Sequence, residues 1–303
     1  MIENRKVRMS VVLWPTLRGS NDPPAVTMFK RVGFDVLRDG RGPSISSFDL
    51  QLQRLADETT DCILASGAMF RQDMAGGFSL SAVLPRQSGG ISLVAALGAL
   101  HSTPANPLGL EPGATLAIPS LGQESQLLAL RPDLEIVKPD CPLSALRAHT
   151  LGAIVVPTHE INSHGPESLQ GLEAVELGLE IMLPPPGEGT TIVVTRTGDP
   201  LGDRLKSLDD TGTRRCLTAE ISLADALGRP ADLACLATEE ADGAIRLQAT
   251  LAGDAPDPRS ALARVGVVAA TPEAAAELCR FALEECLTGQ RRGLRGSKGE
   301  GEG

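Results

Sequence analysis

Apolar and polar positions along this chain fall into short runs of two kinds, and the two kinds alternate. Lys6–Leu13 (KVRMSVVL) reads as an opening strand, stopped by Trp14-Pro15. Pro23–Val32 fits a helix, Gly33–Leu37 a short strand, and Arg38–Pro43 a loop. Ser46 and Ser47 offer an N-cap for the amphipathic segment Phe48–Ala56. Asp61–Ala65 (DCILA) is almost wholly apolar, as expected of a strand covered on both faces. Phe78–Leu84 is a further strand, closed by Pro85.

The pattern then restarts. Ala114–Ile118, Leu134–Val137 and Ala153–Val156 read as strands, with helices over Ser120–Leu130 and Pro142–His149 between them. Pro184–Gly189 (PPPGEG) is first rigid and then flexible, which suits a crossing between domains. Thr191–Thr195 is a strand. A smaller module follows, with a helix over Thr213–Leu227, strands at Leu233–Ala237 and Ala244–Leu251, and a closing helix over Pro272–Leu287. Strands alternating with helices at these spacings predict mainly parallel sheets with helices on both faces. Residues 290–303 are Gly-rich and charged and are expected to be disordered.

Composition narrows the class. At 303 residues and 42% hydrophobic content, the chain has material for two or three cores. No run approaches the ~20 apolar residues of a membrane-spanning helix, and the opening MIENRKVRMSVVLWP lacks an apolar stretch of signal-peptide length. A cytoplasmic location is expected. The net charge is −10, and because the segment after Gly289 is basic, the rest carries about −12. Such a body repels polyanions on average, which argues against a nucleic-acid partner. The six cysteines show no C-x-x-C pair and read as free, mostly buried thiols. With one Trp, six Phe and no Tyr, the cores must be aliphatic.

Four collinear segments resemble the hydroxymethylbilane synthase (porphobilinogen deaminase) family. They are Ala82–Arg86 (AVLPR), Leu127–Val137 (LLALRPDLEIV), Met182–Gly189 (MLPPPGEG) and Arg214–Gly228 (RRCLTAEISLADALG). The resemblance runs over roughly residues 6 to 287. It implies an α/β fold of three domains, two of the periplasmic-binding-protein type around a cleft and a small C-terminal α/β domain. By this analogy domain one comprises residues 1–96 and 188–206, domain two 97–187 and domain three 207–289.

The same alignment empties the positions that carry the family's chemistry. The family holds a dipyrromethane cofactor through a cysteine thioether in a loop worded LGGGCQVPIGA. Here that loop reads Leu227–Ala237 (LGRPADLACLA), with Ala231 at the cysteine position. Cys235 lies four residues later, where the family has a strand residue. The family's HSLKDVPT reads Ala65–Gln72 (ASGAMFRQ), with Ala68 at the lysine and Met69 at the catalytic aspartate. A thioether neither carries the charge of a carboxylate nor moves a proton. Asp73 is close in sequence but lies past a different turn. The arginines that bind substrate carboxylates fall on Val12, Gly122, Gln123 and Asp140, the last a reversal of sign, and Trp14 replaces a serine. The resemblance therefore implies a relative without deaminase activity and without dipyrromethane.

Other polar residues fall on the loops that face the implied cleft. His159 and Glu160 follow a buried strand and can act as an acid–base pair or as ligands, with His164 as a further imidazole. The spacing His159-Glu160-x-x-x-His164 is one residue too long for the helical zinc motif, and Pro157 argues against a helix, so no metal is assigned. Ser66, Arg71, Lys138 and Glu188 complete the candidate ligand set beside Trp14, Gly122, Gln123 and Asp140. Three readings stay open. The chain binds a small molecule or a protein partner through the cleft, or it performs altered chemistry there, or it keeps a role in tetrapyrrole biosynthesis. A cleft depleted of arginine is expected to prefer a neutral or cationic ligand.

Overall fold

The computed structural model describes residues 7–12, 28–29, 36–38, 48–71, 76–164, 169–252 and 262–297. They form an α/β protein with three sheets. The first sheet has the order β2-β1-β3-β10-β4, from Val7–Val12 (β1), Val36–Arg38 (β2), Cys62–Ser66 (β3), Phe78–Val83 (β4) and Thr191–Arg196 (β10). The second has the order β7-β6-β8-β5-β9, from Ile91–Ala96 (β5), Thr115–Ala117 (β6), Glu135–Val137 (β7), Ala153–Pro157 (β8) and Leu172–Leu177 (β9). The third is antiparallel, from Ala234–Glu239 (β11), Ile245–Ala252 (β12) and Leu262–Ala269 (β13). The helices are α1 (Phe48–Ala56), α2 (Leu121–Leu130), α3 (Pro142–Arg147), α4 (Thr158–His164), α5 (Pro200–Leu205), α6 (Thr211–Ala226) and α7 (Pro272–Ser297).

Burial explains the uninterrupted apolar strands. In β3, Cys62 and Leu64 enter one cluster with Met9, Leu84 and Val193. Ile63 and Ala65 enter a cluster on the opposite face with Leu55, Ile192 and Val194. Side chains alternate along a strand, so a sheet covered on both sides needs apolar residues at every position. The second sheet repeats the arrangement, with Leu93, Leu116 and Val155 in one cluster and Val94, Ala117, Ile154 and Val156 in the other.

Several elements differ from expectation. The large sheets are mixed, because β10 and β5 run antiparallel to both of their neighbours. Each is a strand inserted where the chain passes between sheets, and such a passage reverses its sense. Strands β5, β9 and β13 have no counterpart in the elements read from the sequence pattern. Pro157 does not prevent a helix. It ends β8, and α4 begins at the next residue, so no helical N–H is lost to the ring. Helix α7 continues to Ser297, past the boundary expected at Gly289. Of the helix expected over Pro23–Val32 only Met28 and Phe29 are described, as helix, and Trp14 and Asp73 lie outside the described residues.

One buried ion pair ties the parts together. Arg86, in the loop after β4, meets Glu220 of α6 at 2.8 Å, and the Glu220 side chain has no exposed surface. Arg86 also donates through Nε to Thr190 Oγ1 (3.0 Å) and through Nη1 to the Ala237 carbonyl of β11 (3.3 Å). Glu220 accepts the N–H of Gly187 (2.7 Å) and of Ala237 (2.8 Å). Loop, crossing segment, helix and third sheet thus share one charged centre. Further along the crossing, Gln126 of α2 clasps both backbone groups of Leu183, at 3.0 and 2.8 Å.

A buried pair is costly to break because one charge is left without its partner. Glu220→Ala should therefore lose about 3–5 kcal/mol in a urea unfolding titration. The double variant Arg86→Met/Glu220→Leu should recover much of that loss. Equal stability of Glu220→Ala and wild type would contradict the arrangement.

Candidate functional site

The ends of β3 and β8 bring Ser66, Ala68 and His159 to the crossing segment. After β3 the chain makes a 3-10 turn over Gly67–Met69, capped by Ser66, whose Oγ accepts the Ala68 N–H at 3.3 Å. Gly67 donates to the Thr190 carbonyl at 2.8 Å. Gly187 adopts φ +78°, and a Cβ there would stand 2.5 Å from the Ala68 nitrogen. This is a left-handed position pressed against backbone, which glycine alone fits. Met69 turns back onto the apolar cluster that contains Leu217 and Ile221 of α6. After β8, Thr158 donates its N–H to the Gly90 carbonyl and shares a 2.8 Å hydrogen bond with Ser92.

His159 and Glu188 meet here, with Nδ1 and Oε1 3.7 Å apart. Burial pulls the His159 pKa down to about 4. Burial also pushes Glu188 up, against the opposing pull of the Gly189 N–H and of Arg86. Both groups shift toward their uncharged forms, so the site disfavours charge. Glu160 is buried nearby in sequence on α4. The guanidinium of Arg86 is committed to Glu220, Thr190 and Ala237. What remains suits hydrogen bonding to a neutral group better than capture of a carboxylate.

The other candidates lie elsewhere. Gly122 and Gln123 are buried in the first turn of α2, which is capped by Ser120. A Cβ on Gly122 would come within 2.9 Å of the Asp232 carbonyl and 3.1 Å of the Leu233 carbonyl. The turn carrying Ala231 therefore lies directly on α2. Among the described residues the Gln123 side-chain amide has no hydrogen-bond partner. Lys138 stands 4.0 Å from Glu124 and is largely exposed, as are Arg71 and Asp140. Among the described residues no three His, Cys, Asp or Glu side chains gather at a metal-binding distance, and no helix is long and apolar enough to cross a membrane.

Arg229 was not among the residues singled out from the sequence. It follows α6 with φ +55° and reaches across to donate to the Phe70 carbonyl at 2.7 Å, while pairing with Asp225. With the Gly122 contact, this fixes the Gly228–Leu233 turn to the 3-10 turn on one side and to α2 on the other. In the sequence only Pro230 marks a turn of reduced freedom, and the reach of Arg229 to the Phe70 carbonyl leaves no signal there.

In sequence the chain is distantly similar to porphobilinogen deaminases. It is 30% identical over 148 residues to the probable porphobilinogen deaminase of Ignicoccus hospitalis, covering 47% of each chain. It is 29% identical over 194 residues to the porphobilinogen deaminase of Xylella fastidiosa, covering 62% of this chain and 59% of that one. A 133-residue match to the Rubrobacter xylanophilus enzyme is 34% identical and covers 39% of each. The chain thus spans about half of the length of the curated relatives it matches. No family model matches the chain. Solved structures similar to it include an ancestral cationic amino acid solute-binding protein (TM-score 0.43, 12% identity, 67% of this chain and 87% of that one). An arginine transport-system periplasmic binding protein from Legionella pneumophila is another (TM-score 0.38, 14% identity, 67% and 91%).

The His159 environment sets a pH dependence with a definite sign. The imidazole binds its proton less readily in the native protein, at a pKa of about 4, than when unfolded, near 6.5. Its contribution is fully present above pH 6.5 and is lost as pH falls toward 4, by about 3 kcal/mol in all. Glu188 acts in the opposite sense, so the measurement is the stability difference between wild type and His159→Gln from pH 4 to 8. That difference should change only below about pH 6.5. A flat difference would contradict the burial assigned to His159.

Proposed function

We propose that this chain is a deaminase-like protein that does not process porphobilinogen and instead binds a small neutral or cationic ligand between its two five-stranded modules. The observation that carries this reading is the seating of the Gly228–Leu233 turn. By the sequence resemblance this turn would hold the dipyrromethane cofactor. Its residues do not fit that group. Ala231 offers a methyl where a thiolate is needed, and Cys235 sits in β11 with no exposure and a thiol pKa raised by burial. The backbone of Asp232 and Leu233 packs on Gly122, where the family places an arginine.

The electrostatics support the same reading. A charge-assisted hydrogen bond between guanidinium and carboxylate contributes roughly 1.5–3 kcal/mol. Loss of three or four such bonds weakens a polycarboxylate ligand by several orders of magnitude. Within this reading residues 1–96 with 188–206 hold the whole first sheet and 207–289 the third, while β5 (Ile91–Ala96), although it falls before the 97–187 stretch, pairs within the second sheet. A second reading, altered chemistry in the same place, is favoured by the meeting of His159 with Glu188, and it assigns the partner role to Glu188 in place of Glu160.

Protein purified from its own host should show the intact mass of the bare polypeptide and no colour with Ehrlich's reagent. Ammonia release from porphobilinogen should stay at background. Ala231→Cys with Met69→Asp should not restore turnover, because the arginine positions remain empty. A covalent adduct, or turnover that His159→Gln leaves unchanged and Met69→Ala abolishes, would overturn the proposal.

A further inference from the structure

A recess of about 310 Å³ opens on the outer face of α2, where the helix meets the turn carrying Ala231. Leu121, Glu124, Ser125 and Leu128 recur at one-turn spacing and form its helical wall, with Ala231 and Asp232 opposite. The volume lies at the lower end of the range for small-molecule sites, about 300–1,000 Å³. Gln123 and Leu127 project from the other side of the same helix, and neither His159 nor Glu188 lines the recess.

The chemistry of the lining is one-sided. Ser125 commits its hydroxyl proton to the Leu121 carbonyl at 3.1 Å, so toward a ligand its oxygen can only accept. Glu124 and Asp232 are carboxylates. Every polar side chain in the lining therefore accepts hydrogen bonds and none has a donor to spare. Among the described residues no hydrogen bond or ion pair holds the half-buried Asp232 carboxylate. Among the described residues the Glu124 carboxylate is met only by Lys138, at 4.0 Å and from an exposed side chain. The remaining surface is apolar, and Leu121 keeps 44% of its area exposed on the rim. A net charge of −10 adds a general attraction for cations.

We propose that this recess binds a small organic ammonium ion with an apolar body. The ammonium donates to Asp232 and Glu124, and the body rests on Leu121, Leu128 and Ala231. The turn that, by resemblance, would hold a cofactor would here form the wall of a separate amine site. This goes beyond the function proposed above, and either reading can fail without the other, because the mass and turnover measurements do not depend on Asp232.

Phenethylamine is a suitable probe, with 2-phenylethanol and 3-phenylpropionate as neutral and anionic counterparts of similar shape. Calorimetric titration at fixed low salt should show binding of the amine alone, weakening as salt rises. Asp232→Asn and Glu124→Gln should each weaken it at least about tenfold. Ala231→Trp, at an exposed position, should fill the recess and abolish binding while the unfolding midpoint is retained. Equal binding of the alcohol or the acid, an unchanged affinity in Asp232→Asn, or no binding of the amine at millimolar concentration would each overturn the proposal.

Discussion

The Arg86–Glu220 pair is the constraint on which the arrangement of the three sheets depends. Bringing two charges out of water costs several kcal/mol per ion, and the cost is met only where other hydrogen bonds complete their valences. Here they are completed by Thr190 and Gly187 of the crossing segment and by Ala237 of β11. The loop after β4, the crossing segment, α6 and β11 cannot move independently without leaving a buried charge unsatisfied. The pair thus fixes geometry more than it adds stability.

This changes the meaning of the segments through which the chain resembles the deaminases. AVLPR ends in Arg86, MLPPPGEG contains Gly187, and RRCLTAEISLADALG contains Glu220. Three segments far apart in sequence meet at one centre. The fourth, LLALRPDLEIV, carries Arg131, which pairs with Asp133 at 2.7 Å and donates to Asn106 at 2.7 Å to close the loop before β6. All four hold the scaffold together. Such segments can persist while the chemistry beside them changes, because removing one of their polar residues costs stability whatever the protein binds.

Much of the fold was legible because burial writes itself into composition. CILA (Cys62–Ala65) and AIVV (Ala153–Val156) are apolar at every position, and both became strands covered on two faces. LEAVEL was not legible. Leucine, glutamate and alanine favour helix, and it forms β9 only because the edge of the second sheet accepts it there. LARVGVVA carries Gly266 at its centre and hid β13 for the opposite reason, a residue that weakens strands. The candidate site was legible one residue at a time but not in its grouping. His159 and Glu188 are 29 positions apart, and only the crossing brings them together. The reach of Arg229 across to Phe70 was invisible because the partner there is a backbone carbonyl, which leaves no trace in side-chain chemistry, and only its local pairing with Asp225 has a readable spacing.

The position of β10 has a consequence for how the molecule comes into being. It lies between β3 and β4 in the first sheet, yet it follows the whole second sheet in the chain. Until Thr191–Arg196 is available, β3 and β4 have no strand to join them, and each presents an open edge. About a hundred residues separate Val83 from Thr191, so at ribosomal speeds of ~5–20 residues per second the gap stays open for roughly five to twenty seconds. The second sheet draws all five of its strands from within that interval, between Ile91 and Leu177, and can form first. The half of the protein made earliest is then the half completed later, and its aliphatic edges are the surface a chaperone would meet on the nascent chain.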